Sequence, residues 1–478
     1  MDTASPQFLL FGLLAAIVSN LNRSPVWRSI VLMTASVIFL GLLDHHPIAF
    51  VPLIGFLFLG YAGLVLIGLG FSKLLIWFLC AVIFAYAVLK KYTVLPEGIF
   101  IDFPYFTIGL SYIFFRVMHL LIELADGNEN KRLSLGAYLL YTLNFTTLIS
   151  GPIQRYDEFA KDQFTLEPIE LGPRIICLQL ERIIRGFFKV NILAMLLLSV
   201  QNAALQELQH SSSSSQRFLS ALSLAAVYPF FLYSNFSGYI DIVIAIARLM
   251  RVRLPENFDR PFSASSFLDF WNRWHITLSS WLKTYVFNPL LLVLMRRVSS
   301  LSIQPFLGVL CFFVTFFLIG VWHGRTSEFV VFGVLQGGGV AVNKLWQLRL
   351  TSALGRSGYK ELANNFIYIA LGRGLTFSWF AFTLFWFWTN WQQIGLIFVS
   401  LSAAHWLAVW LSIWLSATVT LAVWEWLRSV MIRVKIAEEP LVVSRYARVV
   451  YATAFGFISV VMIVLLNQPA PVIVYKTF

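Results

Sequence analysis

Long apolar runs broken by short polar clusters recur from one end of the sequence to the other. Crossing about 30 Å of hydrocarbon at 1.5 Å per residue takes roughly 20 mostly apolar residues. Phe50 to Phe71 (FVPLIGFLFLGYAGLVLIGLGF) is such a run, and so is Val298 to Gly324, which contains no Asp, Glu, Lys or Arg. By this length rule the chain holds roughly eleven to thirteen spans or re-entrant segments. The runs predict helices, because in lipid only helices or closed barrels satisfy the backbone, and the strict ten-residue alternation of barrel strands is missing. The expected fold is all-α and polytopic, a single membrane domain over 1–478, with no internal repeat and one serine-rich loop at Ser211 to Ser215. The first run, after Gln7, follows Asp2 rather than a basic region and precedes no small-residue cleavage site, so it predicts a retained first span.

Charge agrees with this picture. Only 12% of residues are charged, about half the roughly 25% of a soluble globular chain. The net charge of +12 would suggest nucleic acid in a soluble protein. Here the basic residues gather between apolar runs: Lys90 and Lys91, Lys131 and Arg132, Arg248 with Arg251 and Arg253, Arg296 and Arg297, then Arg428, Arg433 and Lys435. That is how cytoplasmic loops of membrane proteins are marked, and no nucleic-acid partner is expected. Cys80, Cys177 and Cys311 lie far apart within or beside apolar runs, which indicates neither a disulfide framework nor a zinc site.

Chemistry is to be sought in the departures from simple hydropathy: Gly127 to Ser134, Gly151 to Pro173 and Val252 to Tyr285. Within the last, FLDFWNRWHITLSSWLKTYVF (Phe267 to Phe287) places Asn272, His275 and Ser279 on one face at helical spacing, with Trp274, Leu278 and Trp281 on a neighbouring one. Asp269 and Arg273 are spaced as an i, i+4 pair. An amphipathic helix at the headgroup level and a helix lining a cavity both fit. His323 closes the long uncharged run in GVWHG, and an ionisable residue at membrane depth commonly marks a functional site. Histidine suits proton transfer, since its unperturbed pKa is near neutrality. A histidine capping a span at the interface fits the same spacing. His119 and Glu123, near Arg116, read better as a buried hydrogen bond. Asp44, His45 and His46 read as a solvated loop, and the glycines of VLQGGGV as close helix packing.

In combination these segments resemble a membrane-bound O-acyltransferase (MBOAT), of the bacterial branch that includes alginate O-acetylases and the teichoic-acid D-alanyl transfer protein. The resemblance rests on ISGPIQRY (Ile149 to Tyr156), RGFFKVNILA (Arg185 to Ala194), NFSGYIDIVIAIARLM (Asn235 to Met250), LPENFDRPF, FWNRWHITLSSWLKTYVFNPL (Phe270 to Leu290), GVWHG (Gly320 to Gly324) and the ending PVIVYKTF. Two departures are visible. Asn235 stands where an Asp is usual, and LLLVLMRR (Leu290 to Arg297) replaces a GGNR-like segment.

The resemblance implies catalytic roles for His323 and His275, a substrate-lining role for Asn272, Trp274, Ser279 and Trp322, no metal and no tightly bound cofactor. It implies helices around a central tunnel in the bacterial cytoplasmic membrane. The implied donor is a cytoplasmic acyl thioester, acetyl-CoA or an acyl-carrier protein. The implied acceptor is a hydroxyl of an exported polysaccharide or of an intermediate carrier, with an extracytoplasmic acyltransferase or polysaccharide-export protein as partner. D-alanyl transfer to teichoic acid is the alternative within this class. A transporter or flippase, with both histidines lining a pore, and a non-catalytic scaffold are the alternatives outside it.

Overall fold

In a computed structural model, the described residues are 5–127, 133–298, 300, 302–436, 439–440, 444–466, 471–472 and 474. Lys131, Arg132 and most of the PVIVYKTF ending lie outside them. The fold is all-α, apart from a two-residue ladder between Lys435–Ile436 and Glu439–Pro440. Ten helices among the described residues are long and apolar enough to cross a membrane. The first run forms the helix Pro6–Ser19, whose 14 residues give roughly 21 Å at 1.5 Å per residue, short of a full crossing.

Local sequence explains where helices start. Pro6, Pro25 and Pro305 sit in first turns, where a missing N–H costs nothing. Ser5, Ser134 and Ser402 accept from backbone N–H groups of the turn that follows, and Asn390 with Gln393 forms a reciprocal capping box.

The chain divides into two compact units: the described residues of Met1–Phe187, Phe236–Glu256 and Val472–Phe478, and those of Phe188–Asn235 and Asn257–Pro471. The first is held by buried polar clamps. Arg116, only 2% exposed, donates to the carbonyls of Tyr141 (3.2 Å), Thr142 (2.7 Å) and Thr147 (2.5 Å). These lie at and just beyond the end of the helix Leu135–Thr142, where carbonyls have no helical partner. Tyr141 donates to the Gln154 carbonyl (2.6 Å) and contacts His119 (3.3 Å), so His119 belongs to a buried structural network. Gln154 of ISGPIQRY in turn donates to the Arg253 carbonyl (2.8 Å). Buried Asp162 takes Arg253 through its backbone N–H (2.8 Å) and guanidinium (2.6 Å), which raises the guanidinium above its ordinary pKa. Arg182 bridges Asp241 (2.9 Å) and Glu256 (2.6 Å), tying RGFFKVNILA's helix to NFSGYIDIVIAIARLM.

In the second unit the helices Gln304–His323 and Ser327–Ala363 are joined by a three-residue turn and run antiparallel. Their seam is made of glycine. A Cβ on Gly320 would fall on the Gly333 backbone, and one on Gly333 or Gly337 would come within 2.5 Å of the Phe317 or Phe313 carbonyl oxygen. VLQGGGV is therefore a packing motif at Gly337 and also at Gly339, which faces Phe267 and Trp379, whereas Gly338 has open space. Gly320→Val is expected to lose at least the roughly 1–3 kcal/mol of ordinary overpacking, because backbone rather than a movable side chain is in the way. Heating detergent-solubilised protein and measuring the surviving monodisperse fraction checks this, and survival equal to wild type would refute it.

Candidate active site

The segment expected to be one amphipathic helix is broken. Phe267–Trp271 forms a short helix, His275 adopts a left-handed conformation (φ 45°, ψ 51°), and a second helix runs over Ile276–Leu282 before a π-helical stretch at Lys283–Phe287. Asn272, His275 and Ser279 therefore do not share a continuous helical face. Asn272 caps the first helix and its side chain is exposed, while His275 is fully buried. Ser279 follows one turn on, its N–H donating to the His275 carbonyl (3.1 Å), and its Oγ is buried with no hydrogen-bond partner among the described residues.

The tryptophans of the segment point inward rather than forming an interfacial belt. Trp274 is 1% exposed, stacked on Phe270 (centroids 5.6 Å) and set edge-on to Phe258 (5.1 Å), with Phe380 also in contact. It walls the segment with aromatic packing. The expected Asp269–Arg273 pair is present at 2.9 Å.

His323 is the last residue of its helix and 1% exposed. Its ring is boxed by Trp322 (4.9 Å between centroids), Phe387 (5.3 Å) and Phe332 (6.0 Å). Trp322 also meets the His275 ring edge-on at 6.2 Å, so one indole contacts both imidazoles. Gly324 lets the chain leave the helix directly over Phe329, whose ring occupies the space a Cβ would need. Of the residues expected at the site, the structure gathers His275, Trp322 and His323 by ring contact, brings Ser279 within a turn of His275, gives Trp274 a packing role and leaves Asn272 exposed. No group of three His, Cys, Asp or Glu residues arranged to hold a metal occurs among the described residues.

Two imidazoles buried against aromatic rings can exchange protons with a substrate while water is kept away, and each can donate or accept a hydrogen bond. Sequence reasoning did not single out Asn257. It is fully buried beside the His275 turn, and its only signal was its place in LPENFDRPF.

Fold and site together define a multi-pass helical membrane protein in which two buried histidines meet one tryptophan. Residues 52–384 match the model of the membrane-bound O-acyltransferase family, and the chain belongs to that family. It is 32% identical over 275 residues to a teichoic acid D-alanyltransferase of Streptococcus thermophilus, an alignment covering 57% of this chain and 65% of that one. It is 32% identical over 209 residues to a peptidoglycan O-acetyltransferase of Helicobacter pylori (44% of this chain, 37% of that one). Over 244 residues it is also 32% identical to a protein of Pseudomonas fluorescens named probable alginate O-acetylase (50% and 44%). The chain thus spans about two thirds or less of the length of these curated relatives.

Proposed function

We propose that the protein is an O-acyltransferase of the bacterial cytoplasmic membrane. It moves a short acyl group, acetyl by preference, from a cytoplasmic thioester donor to a hydroxyl of an exported polysaccharide or of an intermediate carrier. The observation that carries the reading is the pair of buried imidazoles that both contact Trp322, both within the residues that match the family model.

A thioester is already activated, so the protein must align the reactants, take the hydroxyl proton and stabilise the tetrahedral oxyanion. His323 acts as general base. The acceptor oxygen bonds to the thioester carbonyl carbon as its proton passes to the His323 ring, the C–S bond then breaks, and the leaving thiolate takes that proton back. His275 donates to the carbonyl oxygen as negative charge collects there, with Trp322 and Ser279 lining the donor's path. A partner on the outer side, an acyltransferase or polysaccharide-export protein, receives the product.

D-alanyl transfer is the second reading, favoured by the likeness to teichoic acid D-alanyltransferases. Proteoliposomes given isotope-labelled acetyl and D-alanyl thioesters with a polyol acceptor decide between the two by the mass of the ester formed. Movement of a substrate across the bilayer without ester formation would instead indicate a transporter, and neither ester nor movement would leave a scaffold.

A further inference from the structure

We propose that Asn257 is the positioning residue for His275, holding the left-handed turn that swings the imidazole out of the helical path. The inference rests on the acyl-transfer reading for its kinetic consequence, but its structural content stands on the turn itself.

A non-glycine residue at φ 45° and ψ 51° is strained and persists only where its surroundings over-determine it. The backbone and side chain of Asn257 do so together. Its carbonyl accepts the Ile276 N–H (3.0 Å), while its Oδ1 accepts both the Thr277 N–H (3.2 Å) and the Thr277 hydroxyl (2.9 Å). These are the first two N–H groups after His275, which the helix cannot satisfy internally and which no side chain of its own segment caps. On the other side of His275 the Asp259 N–H donates to the Arg273 carbonyl (2.9 Å), and Phe258 pairs with Trp274 in an isolated antiparallel bridge. Residues 257–259 thus lie along 273–277 and bracket His275 from both ends. Asn257 is 0% exposed, so no solvent competes for Oδ1.

Without that oxygen, the Thr277 N–H and hydroxyl lose these two bonds and the left-handed residue can relax toward the helix on either side of it. A displacement of about 1 Å of a group at a reacting centre costs on the order of 10²-fold in rate.

Asn257→Ala in the full chain is therefore expected to lower turnover about 10²-fold with little change in the KM for donor. It is expected to cause no further loss in a His275→Ala background, because it acts through that ring. Treatment of solubilised protein with diethyl pyrocarbonate, read by mass spectrometry, should show His275 modified faster in Asn257→Ala than in wild type, with exposed His45 unchanged. Wild-type turnover, a loss that multiplies with that of His275→Ala, or unchanged His275 labelling would each overturn the proposal. Should Asn257→Ala not fold, Thr277→Val removes one of the three hydrogen bonds, and its expected loss of about 2- to 10-fold carries the same comparisons. A wild-type protein that forms no ester overturns the acyl-transfer reading alone, and the labelling comparison then decides the clamp.

Discussion

His323→Ala protein is expected to insert and remain monodisperse in detergent while losing about 10² to 10⁴-fold of its transfer rate, the usual contribution of a placed general base. The ring sits at the end of its helix against Trp322, Phe332 and Phe387, and the glycine seam that fixes the helix does not involve it. Removing it therefore leaves a small cavity rather than an unravelled element, at a cost within the few kcal/mol of large-to-small core changes. Both halves of the prediction are measurable on one sample, by size-exclusion after heating and by labelled-acyl transfer. Wild-type transfer by His323→Ala would dismiss it as the base. Loss of the folded protein would move His323 from the chemistry to the packing.

The second large effect is on stability. Arg116→Met should severely reduce the yield of folded protein and its thermal resistance, because three carbonyls lose a guanidinium donor in a setting with little water to replace it. A buried polar group left unsatisfied costs about 1–3 kcal/mol, so three such losses amount to a large part of a typical domain's stability. Arg116→Lys should recover only part, since a compact ammonium cannot match a planar fork that spans three acceptors. A midpoint of unfolding in Arg116→Met within a degree or two of wild type would refute this account of the clamp.

Much of the architecture was legible because hydrocarbon demands long apolar helices, and those runs are plain in the sequence. The run that ends in GVWHG became the helix Gln304–His323, with His323 buried at its last position. VLQGGGV was readable as packing because glycines in an apolar run have few other uses. The break at His275 was not readable. FLDFWNRWHITLSSW carries continuous helical periodicity with no Gly or Pro to mark a stop. The interruption comes from Asn257, whose side chain bonds Thr277 across 20 residues of sequence. The same holds for Arg116, which bonds carbonyls 25 to 31 residues away, and for Asp162 with Arg253, 91 residues apart. Local pattern reports hydrophobic faces well and long-range polar closures hardly at all. The expected shared face of Asn272 and His275 failed for that reason, since it exists only if the helix is continuous.

The glycine seam has a mechanical consequence. Backbone pressed on backbone along Gly320, Gly333 and Gly337 leaves no side-chain layer to shear, so the helix that ends in His323 cannot slide or rotate against its neighbour without collision. His323 is in effect bolted to a stator. If His323 is the base proposed above, any motion that admits donor and acceptor in turn belongs to other elements, and both reactants travel to it.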